Sequence, residues 1–439
     1  MKTGGRLQAA IEVLDDVETR RRPLADALKD WGLAHRFAGS GDRTAIGSLA
    51  FDALRRKRSN AFLMDDASSR AAVLATFAGT WEQGIAALET ALADPHAPKP
   101  LTKTERDRLA ADPETVLATA PDAVRADLPD WLVPSLAALW GERLVEEGRA
   151  LAGRAPLDLR VNRLKGTRAE ALAALAALGP TETLLSPLGL RLPLLAPTAK
   201  PPHVPSEAAY QDGRVEIQDE GSQLAALVAG ARGGERILDL CAGGGGKSLA
   251  LAAEMGNAGA IFAYEVDKRR FGDFRDRGAR AGASIVELRP PLAGTDVLAD
   301  LEGTIDGVFV DAPCTGTGTW RRRPDAKWRL RPNALDARIK DQDAVLDEAA
   351  RFVRPGGRIV YVTCSILAEE NEDRVAAFLA RHDGFRLADP LARLDRGLAE
   401  RLAPFAAPRA GLGACLRLTP ATSDTDGFFA AVLERGGAA

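Results

Sequence analysis

From about residue 215 to the C-terminus, short apolar segments alternate with helical segments, and this alternation constrains the fold more than any other feature. Each apolar segment has the length and composition of a buried strand. Strands that alternate with helices predict a parallel sheet with helices on both faces. We also expect residues 415–418 and 428–433 to pair as a terminal hairpin. The predicted parallel strands are 236–240, 260–266, 284–288, 305–310 and 358–362.

The chain before this region divides in two. Residues 1–128 show helical periodicity, so we expect an all-helical domain there. Residues 129–214 mix strand-like segments with a helix predicted over 167–178, for which Thr167 is the expected N-cap. This mixture predicts a small α+β domain. With 215–439 as the α/β domain, the chain of 439 residues is expected to hold three domains.

The composition narrows the class of protein. A formal net charge of −3 means that any nucleic-acid site must come from local basic clusters. The 4 cysteines contain no Cys-x-x-Cys pair and the 4 histidines are scattered, so we expect neither a metal site nor a disulfide framework. No apolar stretch approaches the ~18 residues of a membrane-spanning helix, and the N-terminus lacks an apolar signal region. We therefore expect a cytoplasmic monomer with free thiols and no membrane partner.

A glycine-rich turn is predicted after the first strand of the α/β domain. Such a turn lets a nucleotide-like ligand approach the backbone above a helix N-terminus, although it can also be a tight strand–helix connection and no more. The segment nearly matches a phosphate-binding P-loop, but Cys241 stands where that motif needs its first glycine, which argues against an NTPase. The turn consists of Cys241, Ala242, Gly243, Gly244, Gly245, Gly246 and Lys247.

Glu265 lies at the end of the second predicted strand of the α/β domain. An acidic side chain at this position can accept both ribose hydroxyls of an adenosine cofactor. The alternative is a solvated charge at the end of a strand. Because the glycine-rich turn precedes it, we favour ribose binding.

Two cysteines follow predicted strands. Cys314 comes after Asp311-Ala312-Pro313, where the proline restrains the backbone, and Cys364 lies at the end of the next strand. Because the carboxyl ends of parallel strands meet at one edge of a sheet, we expect the two thiols in one pocket. A lone cysteine is usually a small buried hydrophobe, but a thiolate near positive charge is a good nucleophile. Lys247 is the candidate for that charge, and Asp311 is a candidate hydrogen-bond partner for a base edge.

The segment 320–331 combines six basic residues with two tryptophans directly after the Cys314 loop. Cations neutralise phosphates and aromatic rings stack on bases, so this composition predicts a single-stranded nucleic-acid site. The alternative is a solvated charged face. The interleaved tryptophans favour the nucleic-acid site.

Taken together, these motifs resemble the RNA cytosine-5 methyltransferases, and closely the bacterial ribosomal RNA small-subunit methyltransferase B (Sun) family. The N-terminal helices, with Gly41-Asp42-Arg43, are similar to the NusB-type RNA-binding domain of that family. The resemblance covers nearly the whole chain, and the paired-cysteine motifs are its most specific part. The segments that carry it are 159–162, 218–223, 239–247, 311–314, 322–328, 363–365, 369–371 and 425–429.

The resemblance implies an α/β, Rossmann-like class I S-adenosylmethionine methyltransferase domain. It also implies that this domain follows a NusB-like helical domain and a small ferredoxin- or RRM-like α+β subdomain that binds RNA. The implied cofactor is S-adenosyl-L-methionine. The implied substrate is RNA, in particular an unfolded or single-stranded region of 16S ribosomal RNA.

For the site, the resemblance implies that Cys364 is the nucleophile and that Cys314 helps to release the methylated base. The cofactor would lie over Cys241–Lys247, with its ribose on Glu265. The residues that would face the cytosine are Lys247 and Asp311, of which Asp311 also borders the cofactor site.

The sequence departs from the family pattern in three places. Gly243 and Gly244 replace the usual Ala-Pro pair of the turn, and Glu265 replaces the usual aspartate. After the third strand the family often has Gly-Asp, whereas this chain has Arg289-Pro290-Pro291, with Asp296 as a candidate substitute. We expect altered cofactor affinity but retained activity, because both cysteines are present.

Three other functions fit some of these residues. A P-loop-like NTPase would place Lys247 on phosphate and Asp311 on magnesium. A non-catalytic RNA-binding assembly factor would keep the fold as a platform, but it would not need the cysteine pair. A cytosine-5 enzyme that acts on transfer RNA has the same chemistry, and its target depends on surface shape.

Overall fold

The structure is a computed structural model that describes residues 1–199, 202–409 and 411–437. The backbone divides into two compact units. Unit one comprises Met1–Ala155, Leu195–Pro201 and Thr319–Arg331, and unit two comprises Pro156–Leu194, Pro202–Gly318 and Pro332–Ala439. The predicted division into three domains stays a prediction.

The α-helices of the described residues are α1 (Thr3–Arg20), α2 (Leu24–Ala34), α3 (Ser40–Arg55), α4 (Lys57–Met64), α5 (Ser69–Ala75), α6 (Gly84–Leu92), α7 (Lys103–Ala110), α8 (Pro113–Ala118), α9 (Asp122–Arg125), α10 (Val133–Trp140), α11 (Leu144–Leu151), α12 (Arg168–Ala174), α13 (Ala208–Gln211), α14 (Glu220–Leu227), α15 (Gly246–Glu254), α16 (Arg270–Ala281), α17 (Pro324–Arg329), α18 (Pro332–Phe352), α19 (Glu372–Arg381), α20 (Arg396–Leu402) and α21 (Pro420–Ser423). None of them combines the length and the apolar character that a helix needs to cross a bilayer.

The strands of the described residues are β1 (Leu157–Val161), β2 (Thr181–Glu182), β3 (Gly189–Leu192), β4 (Val215–Ile217), β5 (Arg236–Asp239), β6 (Ala260–Tyr264), β7 (Val286–Arg289), β8 (Ile305–Asp311), β9 (Val353–Thr363), β10 (Phe385–Ala388), β11 (Pro408–Arg409), β12 (Leu412–Ala414), β13 (Leu416–Leu418) and β14 (Phe428–Arg435).

Unit one contains α1 to α11 and α17, and its apolar core is formed mainly by residues of α1, α2, α3, α5 and α6. The helical spacing of apolar residues on α1 and α3 brings Leu7, Leu14, Ile46 and Leu49 into that core, each at most 2% exposed. The predicted helical region at the N-terminus is therefore confirmed.

Helix α17 caps the end of α3 within unit one. Trp328 Nε1 donates to the Leu54 carbonyl oxygen at 2.7 Å, and Lys327 Nζ donates to the Arg55 carbonyl oxygen at 3.3 Å. The last carbonyls of a helix lack intrahelical partners and attract positive charge, so both contacts satisfy groups that α3 leaves open. The tryptophan ring also packs against the helical core.

The predicted nucleic-acid site over 320–331 is wrong for the residues that motivated it most. Trp320, Arg321 and Lys327 are 1%, 3% and 1% exposed. Side chains as buried as these cannot stack on bases or neutralise phosphates, and Lys327 Nζ lies instead over the rings of Trp320 and Trp328. Composition alone did not distinguish this role because a buried lysine over tryptophan rings has the same residue types as a solvent-facing RNA site.

A small antiparallel sheet with the order β2-β3-β1-β4 opens unit two. Leu159, Val161 and Leu190 fill its core. The predicted N-cap of α12 is confirmed, because the Thr167 side chain accepts from the Glu170 backbone N–H and the Glu170 carboxylate accepts in return from the Thr167 backbone N–H.

The larger sheet has the order β10-β14-β9-β8-β5-β6-β7. Strands β5 to β9 are parallel, as predicted, whereas β14 runs antiparallel to both β9 and β10. The predicted hairpin is also confirmed, with Leu416 opposite Ala430. Alternate side chains of the strands point to two separate apolar cores, so helices cover both faces of the sheet.

The chain reverses direction across the sheet beside β5. It proceeds outward from β5 to β6 and β7, then returns to β8 on the other side of β5. In open α/β sheets, ligands bind at such a switch point, beyond the carboxyl ends of the strands. The glycine-rich turn, Glu265, Asp311 and Cys364 all lie at this edge.

Candidate active site

The two cysteines meet beyond the ends of adjacent parallel strands. Cys314 follows β8, Cys364 follows β9, and their Sγ atoms lie 3.4 Å apart. A hydrogen bond with Cys364, and then burial, raises the pKa of the Cys314 thiol well above its usual value. Either sulfur can donate in this contact, so the structure brings two thiols within hydrogen-bonding distance of each other.

A buried carboxylate holds the two cysteine loops together. Glu370 is 0% exposed, and its carboxylate accepts from the Thr315 backbone N–H at 2.8 Å and from the Thr315 hydroxyl. The same carboxylate accepts from the Ser365 hydroxyl and from Gln342 Nε2, which lies 2.9 Å away. Because Thr315 and Ser365 directly follow the two cysteines, Glu370 sets the spacing between their loops.

Backbone contacts strengthen this arrangement. The Gly318 backbone N–H donates to the Cys364 carbonyl oxygen at 2.9 Å, and the Gly427 backbone N–H donates to the Gly318 carbonyl oxygen at 2.8 Å. A Cβ atom on Gly318 would lie 2.1 Å from the Gly427 carbonyl oxygen, so only glycine permits this approach. The Cys314 loop is therefore held from both sides.

Lys247 and Asp311 form an ion pair beside the cysteines, with Lys247 Nζ 2.6 Å from Asp311 Oδ2. Burial disfavours the charged lysine, but the Asp311 carboxylate outweighs this effect and leaves the pKa of Lys247 raised. A negative charge on Cys364 would act in the same direction. The ammonium group predicted to support a thiolate therefore lies in the same pocket as Cys364.

The glycine-rich turn has a conformation that needs glycine at two positions. Gly243 and Gly245 have φ values of 55° and 84°, and a Cβ atom on Gly245 would lie 2.4 Å from the Phe274 ring. The turn opens α15, whose N-terminus provides backbone N–H donors. This cradle fits an adenosine-type cofactor, and its members are the predicted residues Cys241 to Lys247.

Glu265 lies beside this turn, as predicted. Its Oε2 atom accepts from the Gly243 backbone N–H, and its Oε1 atom accepts from the Asp267 backbone N–H, each at 2.9 Å. Arg270 Nη1 lies 3.5 Å from Oε2. The carboxylate is thus oriented at the rim of the cradle, where a ribose hydroxyl can donate to its remaining lone pairs.

The candidate substitute for the family's Gly-Asp contact is already engaged. Asp296 Oδ2 pairs with Arg351 Nη2 at 2.9 Å, and Asp296 Oδ1 accepts from the Leu298 backbone N–H. Arg289, which stands at the family's position, is bound to Asp300.

Sequence reasoning missed several residues that shape the site. Glu370 was noticed only as part of a motif, and Gln342 not at all, because their hydrogen bonds join segments far apart in the chain. Asp239 was also missed as a titrating group. It is 1% exposed, and burial raises its pKa to about 7 although the Ser248 hydroxyl donates to it. An acidic residue in an otherwise apolar strand that ends at a ligand site was the available signal.

Two family models match the chain. The model described as 16S rRNA methyltransferase RsmB/F matches residues 226–434, and the RsmF/B-like ferredoxin-like domain matches residues 128–193. The second match begins near the small α+β region that the sequence predicts.

Curated proteins with similar sequences have related descriptions. The probable ribosomal RNA small subunit methyltransferase B of Bacillus subtilis (strain 168) is 32% identical over 316 residues, which are 72% of this chain and 68% of that protein. The ribosomal RNA small subunit methyltransferase B of Sodalis glossinidius is 35% identical over 269 residues, which are 60% of each chain.

Solved structures agree on the fold. The crystal structure of PH0851 has a TM-score of 0.71 at 25% identity, and the match covers 99% of both chains. The structure of NSun6 from Pyrococcus horikoshii with SFG has a TM-score of 0.60 at 23% identity and covers 70% of this chain and 98% of that chain. The predicted Rossmann-like methyltransferase fold and the predicted cofactor, S-adenosylmethionine, are confirmed. On this evidence the chain belongs to the RsmB/F family of 16S rRNA methyltransferases.

Proposed function

We propose that this protein methylates C5 of a cytosine in RNA, through a transient covalent bond between Cys364 Sγ and C6 of the base. The substrate that we propose is ribosomal RNA, by analogy with the relatives described above. The observation that carries the proposal is the 3.4 Å distance between the sulfurs of Cys314 and Cys364, beside the Lys247–Asp311 pair and the glycine turn.

A cysteine nucleophile suits this reaction because cytosine C5 is by itself a poor nucleophile. Addition of the Cys364 thiolate to C6 breaks the C5–C6 double bond and leaves its electron pair at C5, so the carbon becomes reactive. Lys247 favours the thiolate by its charge, and the Cys314 thiol, 3.4 Å away, can donate to the same sulfur once it is ionised. When bound, S-adenosylmethionine supplies the electrophilic methyl group that C5 takes up.

The later steps restore the ring. A base removes the proton from C5, its electron pair re-forms the C5–C6 double bond, and the bond between C6 and Cys364 Sγ breaks with both electrons returning to sulfur. We propose that Cys314 assists this release. Asp311, at the end of β8, would hydrogen-bond the N3–N4 edge of the base and stabilise the charged adduct. A base must leave its stack to enter such a pocket, which favours unpaired RNA.

The experiment is to trap the adduct. The full-length protein, Cys364→Ala and Cys314→Ala are incubated with S-adenosylmethionine and a 16S rRNA fragment or a transfer RNA. We expect Cys364→Ala to lose methyl transfer and to form no adduct. Cys314→Ala should accumulate a protein–RNA band that survives a denaturing gel. An adduct with Cys364→Ala, and none with Cys314→Ala, would reverse the two roles.

The choice of RNA has its own readout. Bisulfite mapping of cellular RNA with and without this gene identifies the modified cytosine. A site in 16S rRNA supports the proposed substrate, whereas a site in transfer RNA replaces it and leaves the chemistry unchanged.

A further inference from the structure

The glycine turn is held by an arginine from the next helix. Arg277, on α16, donates from Nη1 to the Gly244 carbonyl oxygen at 2.5 Å. A Cβ atom on Gly244 would lie 3.1 Å from that Nη1, and a Cβ atom on Gly246 would lie 3.3 Å from Nη2. The guanidinium therefore occupies the space beside the turn that side chains would otherwise fill.

Arg277 is itself oriented by a buried carboxylate on the small sheet. Glu216, on β4, is 6% exposed, and its Oε1 atom lies 3.4 Å from Arg277 Nε. Arg280, one turn further along α16, donates to both Glu216 oxygens at 3.0 and 2.9 Å and stacks on Tyr210. A carboxylate bound to two guanidinium groups fixes the direction in which Arg277 extends.

The C-terminal end of α16, the helix that carries Arg277, is fixed as well. Asn162, at the end of β1, donates to the carbonyl oxygens of Gly213 and Ala281, at 2.9 and 2.8 Å. Ala281 is the last residue of α16, so the small sheet caps that helix. A Cβ atom on Gly213 would lie 2.0 Å from the Arg280 carbonyl oxygen, which shows how closely the two elements approach.

The turn needs such a restraint. Four consecutive glycines have no side chains to pack, and each glycine has more conformational freedom to lose than any other residue. A charged hydrogen bond to the carbonyl in the middle of the run lowers that freedom before any ligand binds. Because the turn is already ordered, less conformational entropy is lost when the ligand binds, and its affinity is higher.

We propose that Arg277 is a positioning residue for cofactor binding, which holds the glycine turn in its binding conformation and is itself oriented by Glu216. This inference rests on the proposed role of the turn in binding S-adenosylmethionine. It assigns to β4 of the small sheet a part in cofactor affinity, in addition to any part in binding RNA.

The test uses the full-length chain and calorimetry with S-adenosylmethionine alone. Arg277→Met should raise the Kd for the cofactor about tenfold, the size expected for one charged hydrogen bond. The KM for the cofactor should rise in parallel, while kcat at saturating cofactor stays the same, because Arg277 touches no reacting atom. Glu216→Gln should change the Kd in the same direction but less. Arg277→Lys should restore part of the affinity.

Arg275→Met is the matched control, because Arg275 is exposed on the same helix and should leave the Kd unchanged. Hydrogen exchange without cofactor gives a second readout: the amides of 243–246 should exchange faster in Arg277→Met, while those of β5 and β8 stay protected. If the unaltered protein does not bind S-adenosylmethionine, the proposed cofactor turn fails. If it binds and Arg277→Met binds equally well with unchanged exchange, only the inference about Arg277 is overturned.

Discussion

Cys314 and Cys364 are 50 residues apart in the chain, yet their Sγ atoms lie 3.4 Å from each other. The parallel pairing of β8 with β9 brings the two strand ends together, with Asp311 opposite Val362. Helix α18, which lies between these strands in the chain, contributes Gln342 to the hydrogen bonds around the cysteine loops. The close approach of the sulfurs thus follows from topology and is refined by a polar network.

The first prediction concerns the charge beside the cysteines. Lys247→Met removes the ammonium group that favours the Cys364 thiolate and leaves Asp311 without its partner. We expect the methyl-transfer rate to fall about 100-fold, a typical loss when an electrostatic group of an active site is removed. Rapid-quench assays with saturating cofactor measure this rate. Lys340→Met, an exposed change on α18, is the control and should keep the full rate.

The pH dependence of the same lysine gives a further check. Because the pKa of Lys247 is raised, the ammonium stays protonated from neutral pH to above the usual value of about 10.4. We therefore expect the rate of the unaltered protein not to fall between pH 7 and 9 (a range chosen for the assay). The contradicting result is a loss of rate in this range that is present in the unaltered protein and absent in Lys247→Met. Such a loss would contradict the strength of the ion pair with Asp311.

The second prediction concerns the carboxylate that joins the cysteine loops. Glu370→Ala leaves the buried donors of Thr315, Ser365 and Gln342 without their acceptor, and each unsatisfied buried group costs about 1–3 kcal/mol. We expect the free energy of unfolding to fall by about 3 kcal/mol or more, as measured by urea denaturation. Glu370→Gln keeps the shape, so its loss should be smaller.

Methyl transfer separates positioning from stability in these variants. At a temperature where Glu370→Gln is still folded, its methyl-transfer rate should fall. Its affinity for S-adenosylmethionine should stay the same, because the substitution shifts the cysteine loops and leaves the glycine turn in place. Asp373→Asn, an exposed change on α19, should alter neither quantity. An unchanged rate in a folded Glu370→Gln protein would count against the role of Glu370 in spacing the sulfurs.

The third prediction uses the titration of Asp239. Burial raises its pKa to about 7 in the folded state, above the ~3.9 of an unfolded chain. The folded protein then binds the proton more tightly, so this group favours folding at low pH and that contribution is lost as pH rises from about 4 to 7. Asp239→Asn should remove this part of the pH dependence and make the protein more stable than the unaltered chain at pH 8. Urea denaturation at several pH values measures the difference, and parallel curves for the two proteins would refute it.

The fourth prediction concerns the buried lysine of α17. Burial lowers the pKa of Lys327 to about 8, below the ~10.4 of an unfolded chain. The unfolded chain binds more protons between these values, so stability should rise with pH from about 8 to 10. Lys327→Met keeps the bulk without the charge, should flatten this rise, and should be no less stable at pH 7. Lys340→Met, on the exposed face of α18, should keep the rise.

Local patterns were enough for the elements that depend on neighbours in the chain. Thr167 and Glu170 form the capping box because their spacing is a local property, and the apolar segments of the α/β region became strands for the same reason. The parallel direction of the central strands followed from their alternation with helices, whereas their order in the sheet was not predicted. The antiparallel direction of β14 against β9 was not predicted, since strand direction depends on a long connection rather than on composition.

The segment 320–331 shows where local patterns fail. The basic residues and tryptophans of this segment suggested a site that faces solvent. Lys327 and Trp328 instead donate to carbonyl groups at the end of α3, more than 250 positions away in the chain, and no local pattern indicates these contacts. Glu370 and Arg277 illustrate the same limit, because each binds a backbone group that carries no sequence signal.

The sequence by itself determined the parallel α/β fold, the glycine turn and the placement of two cysteines at strand ends, because these depend on short-range periodicity and on the geometry of parallel strands. Only the tertiary structure decided how far apart the sulfurs lie, which carboxylate holds their loops and which cations are buried. Those features arise from hydrogen bonds and packing between distant segments, and their energies depend on burial, which a linear pattern does not specify.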